Sequence, residues 1–243
     1  MSAARLGPIV QGGIIAAGEG SRLRAAGWRM SKPMVPVAGR PLMDHALDRF
    51  RAAGIGRLAV IINEASEDAR RWLEDNAGDI DLDLTVRTTP SSYASFRIVA
   101  ERLAGAPAVI TTVDGIMASD DFRAFVEAAS AFPADATVLG LTDLVDDEKP
   151  LWAELDPASG RITRLGGAAG SHVTAGLYIL PARRPAEPVG GFERLRDYLG
   201  WLVEQGERVY GVAVPRVFDI DRAADIAAAE RAAGTGEAGS RRA

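Results

Sequence analysis

A glycine-rich loop near the start of the chain has the residues of an anion-binding site. Gly18 and Gly20 follow an apolar run that ends at residue 17. Because glycine adopts positive φ without strain, this spacing lets main-chain N–H groups converge on one point, where phosphate is the natural ligand. The sequence has no Gly-x-x-x-x-Gly-Lys-Ser/Thr loop, and Leu23 stands where the dinucleotide fingerprint needs a third glycine. The alternative interpretation is a plain turn between a strand and a helix.

Two cations follow the loop, Arg22 and Lys32. Phosphoryl-type transfer depends on positioning and on cations that face the charge of non-bridging and leaving oxygens. An arginine fork and a point-charge lysine supply both kinds of contact. Lys32 and Lys149 are the only two lysines, and every other basic residue is arginine. Lys32 is therefore a stronger candidate than Arg22, for which a solvated position on a helix is the alternative.

Acidic residues after two other segments are candidates for a metal site. Asp114 follows the apolar run of residues 109–113, at the carboxyl end of a predicted strand, where open α/β sheets bind ligands. Asp219 and Asp221 alternate along the chain, so a strand would direct both to one face. A phosphate ligand at a protein of net charge −5 favours Mg²⁺ held by one or two carboxylates. The alternatives are an Asp-Gly turn at Asp114 and a helix N-cap at Asp221.

Apolar runs and helical patterns alternate through the first half of the chain. Strands are predicted over residues 8–17, 57–63, 82–87 and 108–113, and helices over 42–53, 66–76, 94–103 and 120–131. This alternation is typical of βαβ units around a mostly parallel sheet. The helix over 42–53 carries Leu42, Ala46, Leu47 and Phe50 on one face, and Gly54 suits the position after its end.

Consecutive strands replace this alternation in the second half. They are predicted over residues 136–141, 151–155, 161–165 and 173–180, followed by a helix over 191–205, a strand over 209–214 and a helix over 222–233. The consecutive strands predict a small antiparallel lid built onto the sheet. We expect one domain over residues 1–233 and a disordered tail over 234–243, which is rich in glycine, alanine and arginine.

Composition excludes several classes of function. The 243 residues contain no cysteine, which excludes disulfides, thiolate zinc sites and a cysteine nucleophile. No cationic block is longer than a pair, so nucleic acid and membrane surfaces are not expected partners. No apolar run reaches the ~18 residues of a membrane span, and the first residues lack a signal-peptide core. We expect a cytoplasmic protein with small-molecule partners, and its oligomeric state is open.

The segment over residues 13–42 resembles a family signature. It reads Gly-Ile-Ile-Ala-Ala-Gly-Glu-Gly-Ser-Arg-Leu, then Ser-Lys-Pro-Met-Val-Pro-Val and Gly-Arg-Pro-Leu. This is similar to the Ala-Ala-Gly-x-Gly-x-Arg, Pro-Lys-Pro-x-x-x-Val and Gly-x-Pro-Leu pattern of the sugar-nucleotide pyrophosphorylase (nucleotidyltransferase) superfamily. Ser31 departs from the pattern, which has proline there. In a later segment, Val113 stands where the superfamily usually has a glycine before its metal aspartate. The resemblance implies a Rossmann-like three-layer α/β sandwich with a mixed, mostly parallel sheet.

The same resemblance implies roles for the candidate residues. In the superfamily the loop wraps a nucleoside triphosphate, the arginine meets its phosphates, and the lysine bridges toward the acceptor phosphate. The implied positions are Ala16, Ala17, Gly18, Gly20 and Ser21 for the nucleotide, Arg22 and Lys32 for catalysis, and Asp114, Asp219 and Asp221 for Mg²⁺.

Other segments resemble the parts of the superfamily that contact base and acceptor. Ser92 lies in a serine-rich stretch where sugar-specific members carry Gly-Thr-Ala near the nucleobase; a helix N-cap is the alternative. This stretch is more similar to the branch that activates choline phosphate or related alcohol phosphates. Thr174 and Gly176 lie in a segment that resembles the Asn-Thr-Gly-hydrophobe-Tyr acceptor segment. Lys149 either reaches the acceptor phosphate or is a solvated loop cation.

These observations lead to one hypothesis and two alternatives. We expect a nucleotidyltransferase that moves a nucleoside monophosphate from a triphosphate to a sugar 1-phosphate or an alcohol phosphate and releases pyrophosphate. The first alternative is a nucleotide-binding regulatory domain that has lost the chemistry. The second is a sugar transferase of related fold, whose Asp-x-Asp would fall within residues 79–83, a string that we interpret as a solvated turn before a strand. His45 and His172 are expected to be structural.

Overall fold

A mixed β-sheet forms the centre of the molecule, and helices cover both of its faces. The computed structural model describes residues 4–145, 149–185, 187 and 190–240. The strands are β1 (Gln11–Ala16), β2 (Pro36–Val37), β3 (Arg40–Pro41), β4 (Arg57–Ile62), β5 (Asp81–Val86), β6 (Ala108–Thr112), β7 (Gly115–Ile116), β8 (Thr137–Thr142), β9 (Trp152–Leu155), β10 (Ile162–Leu165), β11 (His172–Leu180), β12 (Val209–Ala213) and β13 (Phe218–Asp219). The helices are α1 (Ser21–Ala25), α2 (Leu42–Ala52), α3 (Glu67–Asn76), α4 (Ser92–Arg102), α5 (Ser119–Ala129), α6 (Leu195–Glu204) and α7 (Ala223–Ser240).

Nine of these strands form one sheet within the described residues. β1 lies between β4 and β6 and is parallel to both, and β5 extends the parallel part beyond β4. On the other side, β11 is antiparallel to β6 and joins β8 and β9 to the sheet, with β10 beside β9 and β12 parallel to β8. The antiparallel strands are thus connected to the parallel part through β11. The predicted fold class, an α/β sandwich with a mixed sheet, is confirmed.

Aromatic side chains pack in a separate core on each face of the sheet. On one face, Phe50 of α2 meets Phe122 of α5 with ring centroids 5.1 Å apart. On the other face, Phe96 of α4 meets Tyr198 of α6 at 5.8 Å. Each fully buried side chain of this size contributes roughly 1.5–3 kcal/mol through removal of apolar surface from water. The two cores hold the helices against the sheet and fix the strand ends that carry the candidate residues.

The start of α6 differs from the prediction. The helix begins at Leu195 and not at residue 191, because Gly190 and Gly191 have φ values of 101° and 67° and Arg194 is extended. By contrast, α2 matches its prediction: its predicted apolar face is buried, and Gly54 follows the helix with a φ of 70°.

Two further segments differ from the expectation. Asp81 and Asp83 lie inside β5, paired with β4, and not in a turn before the strand. α7 continues to Ser240, past the expected end at residue 233, although Gly234 and Gly236 lower helix propensity. Residues 241–243 lie outside the described residues, and the division into one domain and a tail stays a prediction. Among the described residues no helix combines the length and the apolar character that a membrane span requires.

Candidate active site

The glycine loop connects β1 to α1 and lies against Lys32. Gly20 has a φ of 61°, and a Cβ built on it would lie 2.9 Å from the Cβ of Lys32. Glycine is needed at this position both for the left-handed backbone and for the close approach of the lysine. Gly18 has open space around it. Asn63 fixes the loop from β4, because its side-chain amide donates to the carbonyl of Ala17 at 3.1 Å.

Lys32 is the centre of the site. It opens a short 3-10 turn (Lys32–Met34) after the extended Ser31, and its side chain is 9% exposed. Its ammonium donates to Asp114 Oδ2 at 2.6 Å and to Asp221 Oδ1 at 2.5 Å. Burial disfavours the charged form, but the charges of Asp114 and Asp221 outweigh it and raise the pKa of Lys32. Lys32 is therefore a firmly protonated cation held between two carboxylates.

Arg22 contacts the same carboxylate from the solvent side. Its Nη1 donates to Asp221 Oδ2 at 2.7 Å, while Lys32 holds the other oxygen of Asp221. The Arg22 side chain is 55% exposed, so this ion pair contributes little to folding. The guanidinium can therefore exchange Asp221 for a phosphate at a small energetic cost.

A two-strand ribbon brings the acidic residues together. β7 pairs antiparallel with β13, so that Asp219 lies opposite Gly115, the residue after Asp114. The ribbon is extended by the main-chain N–H of Ile220, which donates to the carbonyl of Asp114 at 3.1 Å. The pairing explains how acids separated by more than a hundred residues in sequence meet at the carboxyl edge of the sheet.

Asp114 is ionised in a buried position. Burial favours the neutral acid, but the charge of Lys32 and its hydrogen bond outweigh that effect and lower the pKa of Asp114. Its Oδ2 accepts from Lys32, whereas its Oδ1 is buried and has no hydrogen-bond partner among the described residues. A buried, charged oxygen without a donor is an unusual feature that calls for a ligand.

The carboxylate of Asp221 faces cations and does not cap a helix. Instead, Asp225 fixes the turn before α7, since its carboxylate accepts from the main-chain N–H groups of Asp221 at 2.9 Å and of Arg222 at 2.6 Å. These two bonds satisfy donors at the helix start and leave both oxygens of Asp221 to Arg22 and Lys32.

A cavity of about 190 Å³, which we name the acid-lined cavity, lies beside the ribbon. Asp114 and Asp219 form one wall, and Thr174 and Gly176 form another. Arg196 is the one cation among its described lining residues. The structure therefore brings two of the three predicted metal residues and two of the three predicted acceptor residues to one cavity, while Asp221 and Lys149 are not among its described lining residues.

Gly176 shapes the wall of the acid-lined cavity. The register between β11 and β8 shifts between Thr174 and Tyr178, and Gly176 in this irregular stretch has a φ of 66°. A Cβ at this position would lie 2.7 Å from the Thr112 Oγ1. Only glycine fits both the backbone conformation and the close contact with β6.

A smaller cavity of about 90 Å³, the loop cavity, lies beside Lys32. Its lining includes Gly18, Arg24, Arg29, Lys32 and Asn63. The ammonium of Lys32 bonds Asp114, so a residue of the loop cavity contacts a residue that lines the acid-lined cavity.

Ser92 is not the N-cap of α4, and Lys149 lies next to the acid-lined cavity. The N-cap of α4 is Ser91, whose Oγ accepts from the Ala94 N–H at 3.1 Å, and the Oγ of Ser92 accepts from the Leu195 N–H at 3.1 Å. Ser92 thus connects α4 to α6. Lys149 precedes Pro150, which lines the acid-lined cavity, and its carbonyl accepts from Arg196 Nη1 at 2.9 Å. Its neighbours Asp147 and Glu148 lie outside the described residues.

Sequence reasoning missed two arginines. Arg196 lines the acid-lined cavity from α6, and nothing in the local sequence distinguishes it from other surface arginines. Arg49 in α2 is 1% exposed and donates to the carbonyl of Gly115 at 2.6 Å. Arg49 follows Leu42 by seven residues and Ala46 by three, so it falls within the apolar stripe of the helix. A charged residue within that stripe was the available signal.

The two histidines lie outside this site. The Nε2 of His45 is 2.9 Å from the Val37 carbonyl, and the Nδ1 of His172 is 2.9 Å from the Ser171 hydroxyl. Both have local partners, in keeping with the structural positions expected for them.

Comparison with known proteins decides the family. Residues 12–184 match the family described as the MobA-like NTP transferase domain. The chain belongs to this family. The relation to nucleotidyltransferases that residues 13–42 implied is thereby confirmed.

Curated relatives of this NTP transferase act on different substrates. A glucose-1-phosphate thymidylyltransferase of Actinoplanes sp. is 32% identical over 123 residues, which are 49% of this chain and 41% of that protein. A CMP-5'-(3-aminopropyl)phosphonate synthase of Streptomyces rubellomurinus is 28% identical over 191 residues, which are 69% of this chain and 27% of that protein. The aligned part of the chain spans less than half the length of either relative.

A solved structure of a nucleotidyltransferase has the same fold. The inositol-1-phosphate CTP transferase from T. maritima superposes with a TM-score of 0.75 at 17% identity, over 90% of this chain and 92% of that chain. At this identity the likeness establishes the Rossmann-like architecture of the NTP transferase and no more.

Proposed function

We propose that this chain transfers a nucleoside monophosphate from a nucleoside triphosphate to a phosphate monoester and releases pyrophosphate. The observation that supports this most strongly is the position of Lys32, which lines the loop cavity while its ammonium bonds Asp114 of the acid-lined cavity. In such a transfer the α-phosphorus must lie between the leaving pyrophosphate and the attacking oxygen of the acceptor. A buried cation that lines one cavity and bonds a lining residue of the other would face the charge that develops there.

The glycine loop and two cations would bind the triphosphate. The loop supplies main-chain N–H groups around Gly18 and Gly20, and Arg22 and Lys32 supply positive charge. Both cations are paired with Asp221. Before the nucleotide arrives, Asp221 compensates the charge of both cations, so the fold does not hold Lys32 as an unpaired buried charge. Binding would exchange these carboxylate pairs for phosphate pairs.

A divalent metal fits the acid-lined cavity. NTP transferases of this family generally use one. Asp114 Oδ1 is buried without a hydrogen-bond partner among the described residues, and carboxylate oxygen is the ligand that Mg²⁺ prefers. Asp114 and Asp219 would hold Mg²⁺, with Asp221 as the other candidate. When bound, Mg²⁺ would supply charge neutralisation for the triphosphate.

The number of acids near this position also fits Mg²⁺. In the part of the chain that the structure describes, no group of three or more acidic or histidine side chains forms a metal site. Mg²⁺ is usually held by one or two carboxylates and takes its other ligands from phosphates and water. Two carboxylates on one ribbon therefore suit an ion that arrives with the nucleotide.

The acceptor phosphate would lie against Thr174, Gly176 and Arg196. One of its oxygens attacks the α-phosphorus of the nucleotide, the bond from that phosphorus to the oxygen bridging the β-phosphorus breaks, and pyrophosphate leaves with that oxygen. Lys32 keeps its proton throughout, because its pKa is raised, and stabilises charge on the phosphoryl oxygens. No protein nucleophile is required.

The acceptor class that we propose is a sugar 1-phosphate or an alcohol phosphate. The relatives use a hexose phosphate and an aminoalkyl phosphonate, by their names, and so agree only in the phosphorus-bearing group. Lys149, next to Pro150 at the cavity, is a further candidate contact for this group. Because nucleoside triphosphates are made in the cytoplasm, we place the activity there.

A pyrophosphate-release screen tests the proposal. ATP, CTP, GTP, UTP and dTTP are each combined with glucose 1-phosphate, inositol 1-phosphate, choline phosphate or glycerol phosphate, with and without Mg²⁺. We expect release that needs both an acceptor and Mg²⁺ and that is lost in Lys32→Met. Nucleotide binding without release in any combination would overturn the proposal and favour the regulatory alternative.

A further inference from the structure

Arg49 is a buried cation that the proposed chemistry does not use directly. Its side chain is 1% exposed and lies between α2 and the ribbon of β7 and β13. Its Nη1 donates to the Gly115 carbonyl at 2.6 Å. Its Nε and Nη2 are buried and have no hydrogen-bond partner among the described residues.

Arg49 is not expected to stabilise the fold. Burial lowers its pKa to about 10, against the opposing charge of Asp114, so the side chain is still cationic at neutral pH. A buried charge with unpaired donors carries a desolvation penalty that one hydrogen bond does not repay. Replacing such a group by an apolar side chain of similar size is often neutral or stabilising. A residue of this kind inside an apolar helix stripe therefore has another explanation.

Arg49 makes its hydrogen bond at Gly115, the residue that lies next to both candidate metal ligands. Gly115 follows Asp114 in the chain and lies opposite Asp219 in the ribbon. Two carboxylates brought to one cavity repel each other, and the guanidinium beneath them acts on Asp114 with opposite charge. Lys32 also neutralises Asp114, but it would be drawn toward phosphate when a nucleotide binds. Arg49 is buried and, among the described residues, bonds only the Gly115 carbonyl, so we expect its charge to stay in place.

We propose that Arg49 is a positioning residue for the acid ribbon: by holding the Gly115 carbonyl, it keeps Asp114 and Asp219 in place to bind Mg²⁺ together with phosphate. It touches neither substrate nor the reacting atoms. The proposal deepens the proposed function and rests on it, because the ligand is the metal–phosphate pair of the same site. Groups that orient metal ligands in this indirect way typically affect metal affinity or activity by about 10–100-fold.

Three variants separate a positioning role from a structural one. Arg49→Met removes charge and hydrogen bond at similar volume, and Arg49→Lys keeps the charge with a shorter reach. Arg51→Met is the matched control, since Arg51 lies on the same helix but pairs with Asp79 and Asp48 at the surface. Each is measured by thermal unfolding without ligand, and by calorimetry with Mg²⁺ and inorganic pyrophosphate, a probe that does not depend on the nucleobase.

We expect Arg49→Met to unfold at the same or a higher temperature than the parent while its affinity for Mg²⁺ and pyrophosphate falls about 10–100-fold. Arg49→Lys should recover part of the affinity, and Arg51→Met should bind like the parent. Failure of Arg49→Met to fold, or unchanged binding by a folded Arg49→Met, would overturn the proposal. If the parent binds Mg²⁺ and pyrophosphate but turns over no nucleotide, only the proposed function is overturned. The ratio of the parent's affinity to that of Arg49→Met still tests the role of Arg49.

Discussion

The glycine-loop edge and the wall of the acid-lined cavity are built in different ways. The loop edge comes from one segment, residues 13–42, with Asp114 added from the end of the neighbouring strand β6. The part of the wall that would face the acceptor takes Gly176 from β11 and Arg196 from α6. Groups for the chemistry are thus fixed locally, whereas groups for the acceptor depend on how distant elements pack. We therefore expect changes at the loop edge to lower kcat with every acceptor, and changes in the wall to alter KM for the acceptor.

The largest effect is expected at Lys32. Lys32→Met should lower kcat about 10²–10³-fold for every acceptor, because a charged donor facing the phosphoryl oxygens is lost. The fold should persist, with the free energy of unfolding reduced by about 1–3 kcal/mol since buried Asp114 loses its partner. Steady-state kinetics and urea unfolding measure the two quantities. Lys149→Met is the matched lysine control, and an equal loss of kcat there would remove the distinction between the two lysines.

A smaller but still large effect is expected at the acids. Asp114→Asn should lower activity about 100-fold and raise the Mg²⁺ concentration needed for half-maximal rate, because one metal ligand is weakened. Asp221→Asn should cost less, since its carboxylate is 38% exposed and already pairs with Arg22 and Lys32. Titration of the rate with Mg²⁺ compares the two variants. If Asp221→Asn instead lost more activity than Asp114→Asn, the metal would have to lie on the Asp221 side of Lys32 and not on the Asp114 side.

Gly176 sharpens the comparison from the side of the wall. Gly176→Ala should raise KM for the acceptor about tenfold with little change in KM for the nucleotide, because the new Cβ collides with Thr112 and displaces the wall. Gly160→Ala is the matched control: it has a φ of 70° in the turn before β10 and a Cβ that would meet only a 3.7 Å contact. Both variants carry similar backbone strain of about 1–3 kcal/mol. If Gly160→Ala changes the acceptor KM equally, strain alone accounts for the effect.

The smallest effect is expected at Arg196. Arg196→Met should raise KM for the acceptor up to about tenfold, since a charge-assisted hydrogen bond to its phosphate is lost, and should leave kcat nearly unchanged. Arg208→Met, which removes a surface arginine paired with Asp135, is the control. A fall in kcat without a change in acceptor KM would show that Arg196 belongs with the loop edge and not with the wall.

The same contrast explains how far the sequence predicted the structure. The βαβ alternation, the buried face of α2 and the turn at Gly54 were predicted because each depends on residues near one another in the chain. The positive φ of Gly20 was likewise predictable from its place after an apolar strand. The start of α6 was predicted wrongly, because the positive φ of Gly190 and Gly191 and the extended Arg194 delay the helix to Leu195, which the apolar periodicity does not show.

Prediction of the site shows the same limit. Asp114, Asp219, Thr174 and Gly176 were singled out, and the structure places them around one cavity, while their roles stay predictions. Alternation alone would have directed Asp219 and Asp221 to one ion. In the structure the Asp221 carboxylate pairs with Arg22 and Lys32 instead, because the hydrogen bond from the Asp221 N–H to Asp225 fixes the turn in a different direction. Arg196 was missed because only the packing of α6 against β10 and α4 brings it to the cavity.

The most direct test of the central claim follows the α-phosphorus by ³¹P NMR during reaction with the nucleotide and acceptor that the screen selects. If Lys32 lies where the phosphoryl group passes from one cavity to the other, a new diphosphate linkage between the acceptor phosphorus and the α-phosphorus appears with an equal amount of pyrophosphate, and Lys32→Met forms both at least about 100-fold more slowly. Conversion of the triphosphate to free nucleoside monophosphate, with the acceptor phosphorus unchanged, would contradict the account.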